Sequence, residues 1–370
     1  MPLLNKGDLR LPLELDPSLE RLPLEELVRL GQRKLLEGQV LQRAARSTLY
    51  ARRWREAGLH LERQASATAW ASIPYTDGHD WLAAQAGAPF TRFFVSQPRL
   101  WVSNHSRSRA RKWLPYGDQD IIILMSLLLR MARVMSLQPD DRILSVVEPS
   151  PRIGNPLPYL WAEADGLAGG LRLEFIPGSL AMLAHNNWPS FAWRRKPTVL
   201  FSRLDEALTL RQAFSQAGPT PCASAAEAFP SFRVGLFFGE PLDIKREEIE
   251  RAFGLEAFSV YLLAKFPALA VECLAHNGLH LWLDTCFPEI IPADQPAWKG
   301  KGPAPQPAAL LLTSAPDGLE GELVLTTFSQ ALPLVRYRTG DRVRLVSKNP
   351  CLCGRTHPRI QILGKLDPPS

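Results

Sequence analysis

Leu332-Pro333-Leu334-Val335-Arg336-Tyr337-Arg338-Thr339-Gly340-Asp341 and, ten residues on, Cys351-Leu352-Cys353-Gly354-Arg355-Thr356-His357-Pro358-Arg359-Ile360 decide how the rest of the chain is read. The first stretch is apolar and basic until it ends in Thr339-Gly340-Asp341. Asp341 after Gly340 can be read there as a plain turn residue. The second stretch is a Cys-x-Cys-Gly knuckle. It sets two thiols one residue apart beside a glycine, which suits a thiophilic metal such as zinc.

Around these motifs the pattern is that of an α/β protein. Short strands at 309–313, 321–326 and 341–346 fit a small antiparallel β-domain, preceded by a Pro/Gly/Lys linker at 299–307. Upstream, strand-like runs at 142–148, 171–176 (ended by Pro177-Gly178), 196–201 and 233–238 alternate with helical patterns at 204–217 and 241–253. Such alternation predicts a mostly parallel sheet covered by helices. Residues 118–137 read as a long buried helix. Residues 26–57 read as one helical stretch, with Leu27, Leu30, Leu35, Leu36, Val40 and Leu41 on one face and Gly58 as its C-cap. Residues 1–25 read as an irregular arm. The expected division is 1–100 for the arm and helical part, 101–298 for the α/β core, and 299–370 for the β-subdomain with the knuckle, ending at a hinge.

A chain of 370 residues can bury one large core or two medium ones. No apolar run reaches the roughly 20 residues of a membrane span; residues 121–134 come nearest, and Arg130 and Arg133 interrupt them. The start, Met1-Pro2-Leu3-Leu4-Asn5-Lys6, lacks the apolar stretch of a signal peptide, so a cytoplasmic protein is expected. The net charge of +6 is spread through the chain among acids, and no aromatic-basic platform accompanies it. Neither nucleic acid nor a membrane is therefore an expected partner. Five cysteines in such a chain argue for a metal rather than a disulfide framework.

Taken with the segments before it, the first motif resembles the ribose-binding motif of adenylate-forming enzymes, and the pair resembles their phenylacetate-CoA ligase and coenzyme F390 synthetase branch. Phe237-Phe238-Gly239-Glu240-Pro241 is similar to the family's F-G-A-E-P turn. Gly254 to Tyr261 is similar to its G-h-x-A-x-D-h-Y strand. Glu272-Cys273 with Gly278-Leu279-His280-Leu281-Trp282 matches E-C…D-G-L-H-h-W; Phe287-Pro288-Glu289-Ile290-Ile291 matches Y-P-E-I-I; Gly321-Glu322-Leu323-Val324-Leu325-Thr326 matches G-E-L-V-h-T. More weakly, Ile73-Pro74-Tyr75-Thr76-Asp77 is similar to the hP-h-T-K-D segment, without its Lys. The resemblance implies the large N-terminal domain of these enzymes: helix-covered, mostly parallel sheets plus a small antiparallel β-subdomain. It implies a nucleotide site in which Glu240, Pro241 and Tyr261 frame adenine and Asp341 and Lys365 hold ribose. It also implies a small-molecule carboxylic acid as ligand, with CoA or a carrier protein as acceptor, and by analogy a homodimer. Trp161, Trp188 and Trp193 lie in segments that border the family's acyl pocket, but are read first as core residues.

The chain departs from the family at four points. The phosphate loop S-S-G-T-T-G-K-P-T corresponds to Asn104-His105-Ser106-Arg107-Ser108-Arg109-Ala110-Arg111-Lys112, which has no glycine. Backbone approach to phosphate is hindered by those side chains. The loop is then either a solvated basic segment or an anion grip built from Arg and Lys. The metal-binding Glu of Y-G-h-[ST]-E is replaced by Lys265 in Tyr261-Leu262-Leu263-Ala264-Lys265, and a protonated amine cannot ligate Mg²⁺. At the hinge, the ribose-bonding Arg of G-R-x-D-D is Lys365, which keeps the charge and loses the fork. Finally, the sequence ends at Ser370, about where the family passes into its C-terminal lid domain, so a missing lid is expected.

Cys273 and His280 join Cys351 and Cys353 as candidate ligands of a closed Cys₃His zinc site. His276, Cys286 and His357 stand as substitutes, and reduced buried cysteines remain the alternative. Two functions follow: a non-catalytic acid- or nucleotide-binding protein with ATP or AMP as ligand and Mg²⁺ doubtful, or an active carboxylate-AMP/CoA ligase of reduced type for an aromatic or acyl acid, its lid or acceptor supplied by a partner protein.

Overall fold

The computed structural model describes residues 17–37, 39–61, 67–87, 93–105, 111–146, 174–178, 194–216, 225–263, 269–295 and 306–366. The sequence readings at Arg107, Arg109, Trp161, Trp188, Trp193, Lys265 and most of the 299–307 linker fall outside them. The chain divides into two compact units, Met1–Leu124 with Leu263–Leu269 and His280–Ser370, and Met125–Leu262 with Ala270–Leu279.

In the first unit, helices α1 (Leu24–Leu36), α2 (Val40–Ala44), α3 (Ala51–Glu56) and α4 (Gly78–Gly87) precede a two-stranded antiparallel pair, β1 (Leu100–His105) and β2 (Arg111–Tyr116). The single helix expected over 26–57 is therefore broken. Gln39 takes a left-handed φ of 53°, and the Ser47 hydroxyl turns the chain by donating to Phe93 O (2.6 Å) and accepting from Leu49 N (3.2 Å). A serine that hydrogen-bonds nearby backbone competes with helix geometry, so the apolar periodicity continues while the helix does not. Gly58 does follow the last of the three helices, with Leu59 N bonded to Trp54 O at 2.8 Å.

Helix α5 (Asp118–Val134) leads into the second unit. There β3 (Arg142–Val146), β4 (Glu174–Gly178), β5 (Val199–Arg203), β6 (Val234–Phe238) and β7 (Glu256–Leu262) form a parallel sheet in the order β4-β3-β5-β6-β7. Pro177 and Gly178 were expected to end a strand, yet both lie within β4. Because β4 is the edge, a residue without a ladder N–H is tolerated there. Helices α6 (Leu204–Gln216), α7 (Ala225–Ala228) and α8 (Arg246–Phe253) accompany these strands. The last begins five residues later than the charge pattern predicted, after the turn at Pro241–Lys245. Leu144, Leu200, Leu210, Phe237, Ile249 and Phe253 form one buried cluster between helices and sheet. β8 (Leu269–Glu272) lies beside β7, and β9 (Leu279–Leu281) follows it after a short turn.

Back in the first unit, β10 (Cys286–Pro292), β11 (Leu310–Leu311), β12 (Glu320–Thr327), β13 (Tyr337–Ser347) and β14 (Arg359–Lys365) form an antiparallel sheet in the order β11-β10-β12-β13-β14. Gly321 is required where β12 crosses β10: a Cβ there would sit 2.0 Å from Ile291 O. A buried ion pair locks the segment before α4 to this sheet. Arg336 donates to both oxygens of Glu289 (3.0 and 3.1 Å), to Ile73 O (2.8 Å) and to the Tyr75 hydroxyl (2.7 Å). Thr76 and Arg338 exchange backbone bonds with Arg336 and Thr76. No described helix is long and apolar enough to cross a membrane.

Candidate functional site

The Asp341 carboxylate stands on a break in a ladder. Glu322 pairs with Arg342 and Val324 with Arg338, so Leu323 alone faces Thr339, Gly340 and Asp341. Two extra residues on one strand make a bulge, which bends the strand and re-aims its side chains. Gly340, with φ +70°, takes the left-handed position that such a bulge needs. The polar groups released by the break find side chains. The Gly340 N–H donates to Glu322 Oε1 (3.1 Å), the Thr339 hydroxyl donates to Leu323 O (2.8 Å), and the Asp341 N–H donates to Thr339 Oγ1 (3.1 Å). Arg338 closes the group with Nε and Nη2 on Glu322 Oε2 (2.8 and 2.6 Å).

Asp341 is buried, at 3% exposure, and its Oδ1 is paired with Lys365 Nζ. Lys365 is its Cα partner on β14 and is half exposed. A second register shift, between Arg342 and Val343, places Gly364 and Lys365 against the bulge. The structure thus brings together the two residues read from sequence as ribose contacts.

Glu240, Pro241 and Tyr261 belong to the second unit. Glu240 is exposed and follows the carboxyl end of β6; Tyr261 is buried near the carboxyl end of β7. The two strands are parallel neighbours, so all three residues meet at one edge of the sheet, the edge where open α/β sheets receive ligands. Arg203, which no sequence motif signalled, ends β5 at the same edge. Its guanidinium donates to both Asp205 oxygens (2.9 and 2.8 Å), and those hydrogen bonds hold its pKa above the usual range, with Glu240 adding to the effect. Asp205 is drawn below the usual carboxylate range by the same contact.

Cys273, His280, Cys351 and Cys353 offer ligand atoms that all lie within 4.8 Å of one another. Cys273 and His280 are carried by the β8–β9 hairpin. Cys351 and Cys353 sit in a turn closed by Gly354 N to Cys351 O and Cys351 N to Arg355 O, each 2.8 Å. His280 is fully buried, with Nδ1 facing His357 O at 3.4 Å and Nε2 facing Cys353 Sγ at 3.4 Å. With a metal on Nε2, a proton on Nδ1 would be shared with that carbonyl, a common outer-shell device; without one, Nε2 can donate to Cys353 instead. Burial raises the Cys353 thiol, but hydrogen bonds from His280 and Arg355 outweigh it and draw the pKa down to about 5. Three thiols and one imidazole are the donor set of a closed tetrahedral zinc site, and the group could hold such an ion.

The three substitute ligands are engaged elsewhere. His276 faces Arg246 (3.2 Å) and Glu256 (3.0 Å), His357 Nδ1 accepts from Leu283 N (3.2 Å), and Cys286 is buried with its thiol pushed up to about 12 by desolvation. The N-terminal segment straps the knuckle. Arg355 Nε donates to Glu20 Oε2 (2.5 Å), and the Thr356 hydroxyl donates to Leu22 O (2.5 Å).

No family model matches the chain. It is 38% identical over 122 residues to the phenylacetate-coenzyme A ligase of Escherichia coli (strain K12), covering 31% of this chain and 24% of that protein. It is 33% identical over 156 residues to the ligase of the same name from Aromatoleum evansii, covering 41% and 30%. The chain thus spans about a quarter to a third of the length of these relatives. Among solved structures, it superposes on an open conformation of 2-hydroxyisobutyryl-CoA ligase, in complex with 2-HIB-AMP and CoA, with a TM-score of 0.70 at 22% identity. That match covers 95% of this chain and 72% of the other. The acyl acid amido synthetase AtGH3.15 gives 0.63 at 13% identity, over 99% and 72%. These structural likenesses carry the fold. Together with the sequence matches they support a likeness to the phenylacetate-CoA ligase-like branch of the adenylate-forming superfamily.

Proposed function

From that likeness we propose that this chain is an acid- and adenylate-binding protein in which adenylation chemistry has been lost. One observation carries the binding half: a buried carboxylate, Asp341, is set on a two-residue bulge whose released polar groups are met by side chains. Such an acceptor suits a vicinal diol, whose two hydroxyls can both donate to one carboxylate. At the carboxyl edge of the parallel sheet, Tyr261 offers a flat apolar face for a purine, beside the Glu240-Pro241 turn. The loss of chemistry rests on sequence. Lys265 stands where the family's Mg²⁺-binding Glu is, and residues 104–112 contain no glycine to cradle phosphates.

The acid ligand is a small aryl or acyl carboxylate, and CoA or a carrier protein is the acceptor class to test. The Cys273, His280, Cys351 and Cys353 group holds a structural zinc ion. Zinc bound there closes a four-coordinate shell and supplies folding energy rather than a reactive water. A Cys/His metal group in place of a disulfide framework fits a cytoplasmic protein.

A second reading, an active ligase, is favoured by the same Asp341. The carboxylate of the acid would attack the α-phosphate of ATP and expel pyrophosphate, while Asp341 holds the ribose and Lys265 offsets phosphate charge without templating it. Calorimetric titration of zinc-assayed protein with AMP, ATP plus Mg²⁺ and a panel of aromatic acids separates the readings. Binding of AMP or acid without ATP–pyrophosphate exchange supports the non-catalytic protein. Acid-dependent exchange establishes the ligase. Silence toward both nucleotide and acids refutes the two together.

A further inference from the structure

We infer that Glu322 is a positioning residue for the nucleotide ribose, acting through the Asp341 bulge. The inference rests on the adenylate-binding reading above and names what holds that site in shape. Glu322 is nearly buried, with its side chain 6% exposed, and it reaches the bulge from the neighbouring strand. One of its oxygens accepts from the Gly340 N–H, a group that has lost its ladder partner; the other accepts two bonds from Arg338. It therefore grips the bulge on both sides of Thr339, while Thr339 hydrogen-bonds Leu323 O and the Asp341 N–H. Leu366 N bonds Gly340 O at 2.8 Å and ties the same loop to the end of β14.

These contacts hold the bulge from which Asp341 is aimed, alongside its own bonds to Thr339 Oγ1 and Lys365. A charged acceptor matters here because an ionised carboxylate holds an amide and a guanidinium more strongly than a neutral amide does. With Glu322→Gln one oxygen becomes an NH₂ that faces donors, so either Gly340 or Arg338 loses its acceptor. The bulge then relaxes, and the two ribose hydroxyls no longer meet Asp341 in register.

The test compares AMP with 2′,3′-dideoxy-AMP by calorimetry in wild type and Glu322→Gln, with the thermal midpoint of each protein measured alongside. Wild type is expected to prefer AMP by on the order of tenfold, the value of two charge-assisted hydrogen bonds after desolvation. In Glu322→Gln that preference should fall below about threefold, while affinity for the dideoxy analogue stays within about twofold. A purely structural residue would weaken both ligands together and leave their ratio alone, and that result overturns the inference. If Glu322→Gln does not fold, Thr339→Val removes the other clamp on the bulge and should narrow the ratio in the same way; an unchanged ratio there overturns the inference equally. Wild-type protein that binds AMP but ignores the ribose hydroxyls also overturns it, without touching nucleotide binding. Wild-type protein that binds neither nucleotide refutes the underlying reading as well.

Discussion

A buried carboxylate costs several kcal/mol unless it is paired and hydrogen-bonded, and Asp341 is paired with a lysine that is itself 48% exposed. That arrangement leaves the acceptor formed yet exchangeable. Asp341→Ala should lower AMP affinity by on the order of thirtyfold and shift the urea unfolding free energy by less than about 1 kcal/mol, because Lys365 can return to water. Equal losses of binding and stability would mark Asp341 as a structural residue. The thiols offer a pH test in metal-stripped protein. Cys353 is drawn down to about 5 from an ordinary value of 9.0, so its thiolate stabilises the fold fully above pH 9 and loses that contribution as pH falls through 5. Pulse alkylation read by mass spectrometry should therefore be as fast at pH 6 as at pH 8 for Cys353. Cys286, pushed up to about 12 by burial, should stay unmodified until the protein unfolds. A tenfold fall in Cys353 labelling from pH 8 to pH 7 would contradict this.

The segment before α4 and the antiparallel sheet meet at Arg336, whose guanidinium bonds Glu289, Tyr75 and the carbonyls of the 70–73 turn. Lysine cannot reproduce that fork. Arg336→Lys should cost about 3 kcal/mol in urea unfolding, because one ammonium cannot reach Glu289, Tyr75 and the 70–73 carbonyls together and leaves buried acceptors unmet, and amide exchange at Tyr75 and Thr76 should accelerate. Unchanged exchange at those two amides would refute this role for Arg336. The knuckle is coupled to another element. Arg355 and Thr356 hold residues 20–22 while Arg355 also bonds Cys353. Removal of bound metal with a chelator, or Cys353→Ser, should loosen that strap and expose the Arg21–Leu22 bond to trypsin. If trypsin cuts there at the same rate with and without metal, the strap is independent of the knuckle.

Nucleotide binding can also be read from the whole molecule's stability. A ligand that binds only the native state adds about 2.7 kcal/mol at a hundredfold excess over its Kd. AMP at that level should raise the thermal midpoint by about 2 °C or more for a chain of this size. A two-step melt in which AMP moves only one transition would report that the units unfold separately.

Much of this was legible in residue order because it depends on residue types and local periodicity. The parallel strands appear as short β-branched and aromatic runs between helical patterns, and the Cys-x-Cys-Gly knuckle announces a thiol-rich donor group. Gly340-Asp341 marks a turn with a carboxylate wherever it falls. Tertiary pairing decided what periodicity could not. The apolar stripe from Leu27 to Leu41 continues across the break at Gln39, whose left-handed φ of 53° no periodicity announces, and the later turn at Ser47 is fixed by Phe93 O, 46 residues further along the chain. His276 and His357 carry the same imidazole as His280, and only their neighbours, Arg246 with Glu256 for one and Leu283 N for the other, remove them from the ligand set. The partnership of Glu322 with Gly340 arises from a ladder register that skips two residues. Register is set by the partner strand, so the purpose of a buried glutamate on β12 became visible only when β13 was laid beside it.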